Sequence, residues 1–120
     1  IVLFWVSGFD IIYALQDENF DKQFNLHSIP VLLGQKNALR FSRLMHFIAA
    51  VIILFIGINY FTSSTLFWTA TTLFIGLLIN QHRLVKPNDL SKINLAFFTN
   101  NGIASLIFGS LIVIELITNN

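Results

Sequence analysis

Three apolar runs, residues 44–58, 65–80 and 103–117, recur along this chain with short polar junctions between them. A bilayer core about 30 Å thick takes roughly 20 residues of α-helix at 1.5 Å each. Counting their flanks, the runs extend to residues 36–60, 65–82 and 91–117 and approach that length. In lipid each backbone N–H and C=O needs a partner within the segment, which a helix supplies. The expected fold class is therefore all-α, a multi-span transmembrane helical bundle. Composition agrees: 55% of residues are hydrophobic and 11% are charged, against about 25% charged in a soluble domain.

Charge placement gives a topology. Lys22, Lys36, Arg40, Arg43, Arg83, Lys86 and Lys92 all fall in two junctions, and none falls in residues 59–64 or after Glu115. Spans that alternate in direction put those two junctions on one side, and an excess of Lys and Arg marks the cytoplasmic side. The net charge of +1 is too small to argue for nucleic acid as a partner. With no cysteine there is no disulfide, thiolate metal site or cysteine nucleophile. The opening Ile1-Val2-Leu3-Phe4-Trp5 has neither Met nor a basic leader. It reads as the last turns of a membrane helix in the C-terminal part of a longer protein.

That opening runs directly into residues 10–21, D-I-I-Y-A-L-Q-D-E-N-F-D. On a continuous α-helix Asp10, Asp17 and Asp21 fall within about 20° of one line, with Tyr13 about 60° away and Glu18 pointing elsewhere. Like charges on one face repel unless they stand in water or a cation sits among them. A solvated helix end is the plain explanation. Three features favour a site instead: Asp10 adjoins the apolar run, Tyr13 adds a phenol, and Lys22, Lys36, Arg40 and Arg43 lie nearby. Carboxylates beside cations at a membrane surface suit a Mg²⁺-bound diphosphate, because Mg²⁺ pairs one or two carboxylates with phosphate oxygens and water.

Residues 22–35 are punctuated by Pro30 and Gly34 and read as a loop with a short interfacial helix, before a new helix near Gln35. Pro87 and Asn88 mark a second exit, and Asp89 or Ser91 is placed to cap the last helix. His27, beside the motif, reads as structural rather than as a diphosphate or substrate contact, and His46 and His82, near span ends, are assigned no site. Arg40 and Arg43 read as topological anchors, Asn100 and Asn101 as helix-to-helix hydrogen bonders, and Glu115 as interfacial on the far side.

The text D-I-I-Y-A-L-Q-D-E-N-F-D-K-Q-F-N-L-H-S-I-P-V-L-L-G resembles the second aspartate-rich motif of the UbiA superfamily of membrane prenyltransferases, most closely the 4-hydroxybenzoate polyprenyltransferases. Q-H-R-L-V-K-P-N-D-L-S-K-I-N-L-A-F-F-T-N-N-G resembles the family's late helices. Asn25 stands where such proteins usually have Gly, and Asn tolerates left-handed backbone. The family's first motif, N-D-x-x-D-x-x-x-D, is absent from this sequence.

The resemblance implies helices around a central cavity, with each aspartate motif holding Mg²⁺ against a polyprenyl diphosphate. Diphosphate then leaves, and an electron-rich aromatic acid attacks the allylic cation. It implies Asp17 and Asp21 as catalytic metal ligands and Tyr13 as a cavity residue. Lys22 and Asp10 fall on the diphosphate side, with Asp10 also placed to serve the metal shell or position water. The implied partners are polyprenyl diphosphate, an aromatic acid, the lipid bilayer and the missing N-terminal half of the same chain. The implied acceptor is 4-hydroxybenzoate, on the route to ubiquinone-type quinones, in a bacterial inner (plasma) membrane. Naphthoate and homogentisate are alternative acceptors. A small cation transporter, with the three aspartates as its ion site, is the reading from another class.

Overall fold

The computed structural model describes residues 1–118, and among them there is no β-strand beyond one isolated bridge. Helix α1 is Val2–Ala14, a 3₁₀ turn covers Leu15–Asp17, and α2 is Glu18–Gln23. Helix α3 is Ile29–Tyr60, α4 is Thr65–Leu84, and a π-helical stretch Leu95–Asn100 leads into α5, Asn101–Thr118. The molecule is 53 Å long and 23 by 21 Å across. It is an elongated helical bundle, long enough to span the hydrocarbon core and project beyond it.

Helix α1 lies against α3, and α4 packs on the final helix. Two apolar clusters hold the bundle together. One, nearer the acidic motif, gathers Ile11, Ile12, Leu15, Ala38, Leu39, Val85, Ile93 and Ala96. The other is more aromatic and joins Trp5, Ala49, Ile53, Phe67, Phe74, Leu78 and Ala104. Trp5 meets Phe74 edge-on at 5.1 Å, which suits the ring quadrupoles. Many large apolar side chains nevertheless point outward, among them Phe47, Phe55, Ile58, Leu106 and Ile117. In water so much exposed apolar area is costly, whereas against lipid or further helices it is not.

Two helical segments, Ile29–Tyr60 and Leu95–Thr118, are long and apolar enough to cross a membrane. Helix α4 has 20 residues yet falls short by composition. Its Thr65, Thr69, Thr71 and Thr72, with Asn80, Gln81 and His82, dilute the apolar run. Two of these residues, Thr71 and Gln81, are buried, whereas Thr65, Thr69, Thr72 and Asn80 are exposed. Asn100, buried on the π-helical stretch, is bonded to α4 through Asn80 Nδ2 at 3.4 Å and the Leu77 carbonyl at 3.5 Å.

Three backbone positions shape the loops. Asn25 takes φ 52° and ends the turn after α2. Gly34 has φ 72° and ψ 160°, which interrupts α3 just before Gln35. Only glycine adopts that combination without strain. Ile29 to Leu33 therefore forms a short helix, with Pro30 in its first turn, set off from the long one. Asn88 has φ 68° in a turn that Pro87 enters and that the Asp89 N–H closes on the Lys86 carbonyl at 3.0 Å. Proline second and a left-handed residue third make this a type II turn.

Candidate functional site

The acidic stretch departs from a single continuous helix. A 3₁₀ turn advances about 120° per residue instead of 100°, so Leu15–Asp17 adds about 60° of rotation. The expected stripe of Asp10, Asp17 and Asp21 is thereby twisted, and Asp17 and Asp21 turn away from Asp10. The same rotation carries Glu18 from the rim onto the face of Ile11 and Leu15. Glu18 is buried, Asp10 and Asp17 are exposed, and Asp21 is half-buried. Glu18 thus points elsewhere than the aspartates, as expected, and the direction it takes is into the protein.

Glu18 is buried with partners. Lys22 Nζ donates to its Oε1 at 2.6 Å and Gln35 Nε2 to its Oε2 at 2.9 Å. These bonds, Lys22 first and Gln35 second, hold the Glu18 carboxyl below its ordinary pKa against the opposing effect of burial. Gln35 Oε1 accepts the Asn88 N–H at 3.2 Å. Residues from α2, α3 and the 86–89 turn thus meet at one point.

Asp10, Asp17 and Asp21 make no side-chain hydrogen bond or ion pair among the described residues. Lys22 is committed to Glu18, although its side chain remains 53% exposed. Tyr13 is half-buried, its ring tilted 30° over Phe97 at a centroid distance of 4.1 Å. Phe98 approaches Tyr13 edge-on at 6.1 Å. The π-helical stretch so supplies an aromatic wall behind the motif.

Among the described residues no group of three or more His, Cys, Asp or Glu could hold a metal by itself. Unpaired hard oxygens on Asp17 and Asp21 nonetheless fit part of a Mg²⁺ shell, which takes one or two carboxylates and completes itself with phosphate oxygens and water. The remaining polar candidates fall elsewhere. His27 is exposed on the loop. Glu115 is buried at the opposite end, beside the junction of residues 59–64.

Sequence reading missed two connections. Gln35 and Asn88 carry no motif signal, and their bond to each other depends on the 86–89 turn folding back. His46 and His82, each left without a site, lie 2.8 Å apart through Nδ1 and Nε2. For Glu18 there was a signal: on the ideal helix it already sits beside the buried face of Ile11.

The UbiA prenyltransferase family model matches residues 1–102. The chain is 28% identical over 104 residues to a protein named 4-hydroxybenzoate octaprenyltransferase from Francisella tularensis subsp. novicida. It is 25% identical over 111 residues to one of the same name from Aeromonas hydrophila subsp. hydrophila. The alignments cover 87% and 92% of this chain but 36% and 38% of those relatives, so the chain spans well under half their length. No solved structure matches it. With a family match over most of its length and two apolar helices of membrane-crossing length, this helical membrane protein belongs to the UbiA prenyltransferase family.

Proposed function

We propose that this chain is part of an enzyme that transfers a polyprenyl group from a prenyl diphosphate to an aromatic acid, with 4-hydroxybenzoate as acceptor in ubiquinone-type quinone biosynthesis. The observation that carries the reading is the set of unpaired carboxylates at the end of an apolar helix, in a stretch where the buried acid, Glu18, has its own partners. The relatives' names support the acceptor.

In this reading Asp17 and Asp21 hold Mg²⁺, whose other ligands come from diphosphate, water and parts of the protein outside this chain. When bound, the ion supplies Lewis-acid stabilisation of the departing diphosphate and orients it. Asp10, nearest the apolar part of α1, serves the diphosphate side by holding water or an outer position of the metal shell. Lys22 adds positive charge there through its exposed flank. Tyr13, fixed by Phe97, presents an electron-rich ring near the developing allylic cation, where an aromatic face is favourable. The apolar helices keep water from that cation. The protein sits in the bacterial inner membrane with this motif on the cytoplasmic side, as the clustering of basic residues favours.

The test is an acceptor assay on the intact parent protein in bilayers, with prenyl diphosphate, Mg²⁺ and 4-hydroxybenzoate, naphthoate or homogentisate. The expected result is prenylated 4-hydroxybenzoate as the dominant product. Prenylation of one of the other rings instead would move the acceptor. Absence of any prenylated product, with cation flux in the same vesicles, would overturn the enzyme reading.

A further inference from the structure

Asp17 and Asp21 sit on weak local structure. Asp17, the last residue of the 3₁₀ turn, has φ −94° and ψ 2° and is followed by the six residues of α2. A helix that short does not hold itself together in water. The direction of the two carboxylates must therefore be fixed by tertiary contacts. Glu18 lies between them in sequence and provides such contacts: its two oxygens are taken by Lys22 at 2.6 Å and Gln35 at 2.9 Å. Both ends of the Gln35 amide are occupied in turn, since its Oε1 takes the Asn88 N–H at 3.2 Å. Gln35 follows the break at Gly34, and Asn88 is the third residue of the type II turn after α4.

We infer that Glu18 is a positioning residue for the metal-binding aspartates, tying the motif turn to α3 and to the 86–89 turn while drawing Lys22 away from Asp17 and Asp21. Lys22 neighbours Asp21 in sequence but bonds to Glu18 one helical turn back, so both aspartates keep their oxygens unpaired. The 86–89 turn, remote from the motif in sequence, becomes part of what aims them. This inference rests on the metal-ligand role proposed above for Asp17 and Asp21.

The test uses the intact parent protein with E18A, E18Q, Q35E, the exchange E18Q/Q35E, and D17A as reference. Three quantities are read: the Mg²⁺ dependence of prenyl transfer, Mn²⁺ affinity by electron paramagnetic resonance with a prenyl thiodiphosphate, and amide hydrogen exchange. E18A is expected to weaken Mn²⁺ binding by about 10-fold or more, as for other residues that orient metal ligands. The half-maximal Mg²⁺ concentration should rise in parallel with the acceptor KM unchanged. Exchange should quicken together in residues 15–26 and 86–91, which tests the coupling without metal. In the exchange variant the amide at position 18 can accept from Lys22 and donate to the carboxylate at position 35, whose second oxygen receives the Asn88 N–H. It is therefore expected to recover metal affinity lost in each single variant.

Unaltered Mn²⁺ affinity in folded E18A, or faster exchange in residues 15–26 alone, would overturn the inference. If E18A does not fold, the single and exchanged variants decide, and no recovery in E18Q/Q35E overturns it. Wild-type Mn²⁺ affinity in D17A would show that the metal reading itself has failed. Loss in D17A with none in E18A would remove only the positioning role.

Discussion

His46 Nδ1 lies 2.8 Å from His82 Nε2, joining α3 to α4 within the bundle. His46 Nε2 is also 3.1 Å from the Trp5 carbonyl oxygen, which can only accept. A neutral His46 therefore carries its proton on Nε2, and its Nδ1 accepts from His82 Nε2–H. One imidazole links α1, α3 and α4. Replacing His46 by Ala leaves the His82 N–H without its partner and removes a second bond from the Trp5 carbonyl, which keeps its own bond within α1, at a cost of about 1–3 kcal/mol for a buried polar group. The expected outcome is a lower thermal midpoint of the intact parent in detergent, with H82A lowering it by a similar amount. An unchanged midpoint in both would show that the relay contributes nothing to stability.

Gly8 makes that relay possible. A Cβ at this position would overlap the His46 ring, and Ser42 Oγ donates to the Gly8 carbonyl at 2.6 Å. Gly8→Ala is expected to push α1 from α3 and cost about 1–3 kcal/mol, as overpacking does. Because the clash is with one ring, the combination with His46→Ala should cost less than the sum of the two. Thermal unfolding of the two single variants and the double reads this directly, and simple additivity would contradict it.

Gly34→Ala meets no neighbour within 4 Å but inherits φ 72°. Backbone strain alone should cost about 1–3 kcal/mol. Gly76→Ala, also in open space but on regular helix, is the control and should be neutral or stabilising. Equal effects at the two sites would show that the break before Gln35 is not held by glycine.

Much of this fold can be read in the sequence, because apolar runs bounded by polar junctions leave a bilayer little choice but helices. Asn25 and Gly34 also announced themselves, since left-handed backbone restricts residue type, and both have positive φ. The 3₁₀ turn at Leu15–Asp17 did not. It tightens the helix by about 20° per residue, below what an apolar pattern encodes, and it moves Glu18 from the edge of the buried face toward its centre. The His46–His82 and Gln35–Asn88 bonds join residues far apart in sequence whose types carry no pairing signal. The polar residues of α4 divide between its faces, with Thr71 and Gln81 buried and Thr65, Thr69, Thr72 and Asn80 exposed, so composition alone underrates its packing.

The Glu18 network has a pH sign. Its bonds to Lys22 and Gln35 depress the folded-state pKa below the ordinary 4.5, so the stabilisation is present above pH 4.5 and disappears as pH falls through the depressed value. The midpoint difference between wild type and E18Q should accordingly be largest at neutral pH and shrink in acid. A difference that grew in acid would contradict the ion pair.

Asp17 and Asp21 are proposed above as metal ligands for prenyl transfer. Turnover of the intact parent, bearing Asp17→Ala or Asp21→Ala, should be measured in bilayers at saturating Mg²⁺, prenyl diphosphate and 4-hydroxybenzoate. Loss of a directly bound ligand is expected to lower the rate by about 100-fold or more in each, taking 10–100-fold as the scale for ligands acting only through others. Undiminished turnover in both variants would contradict that role.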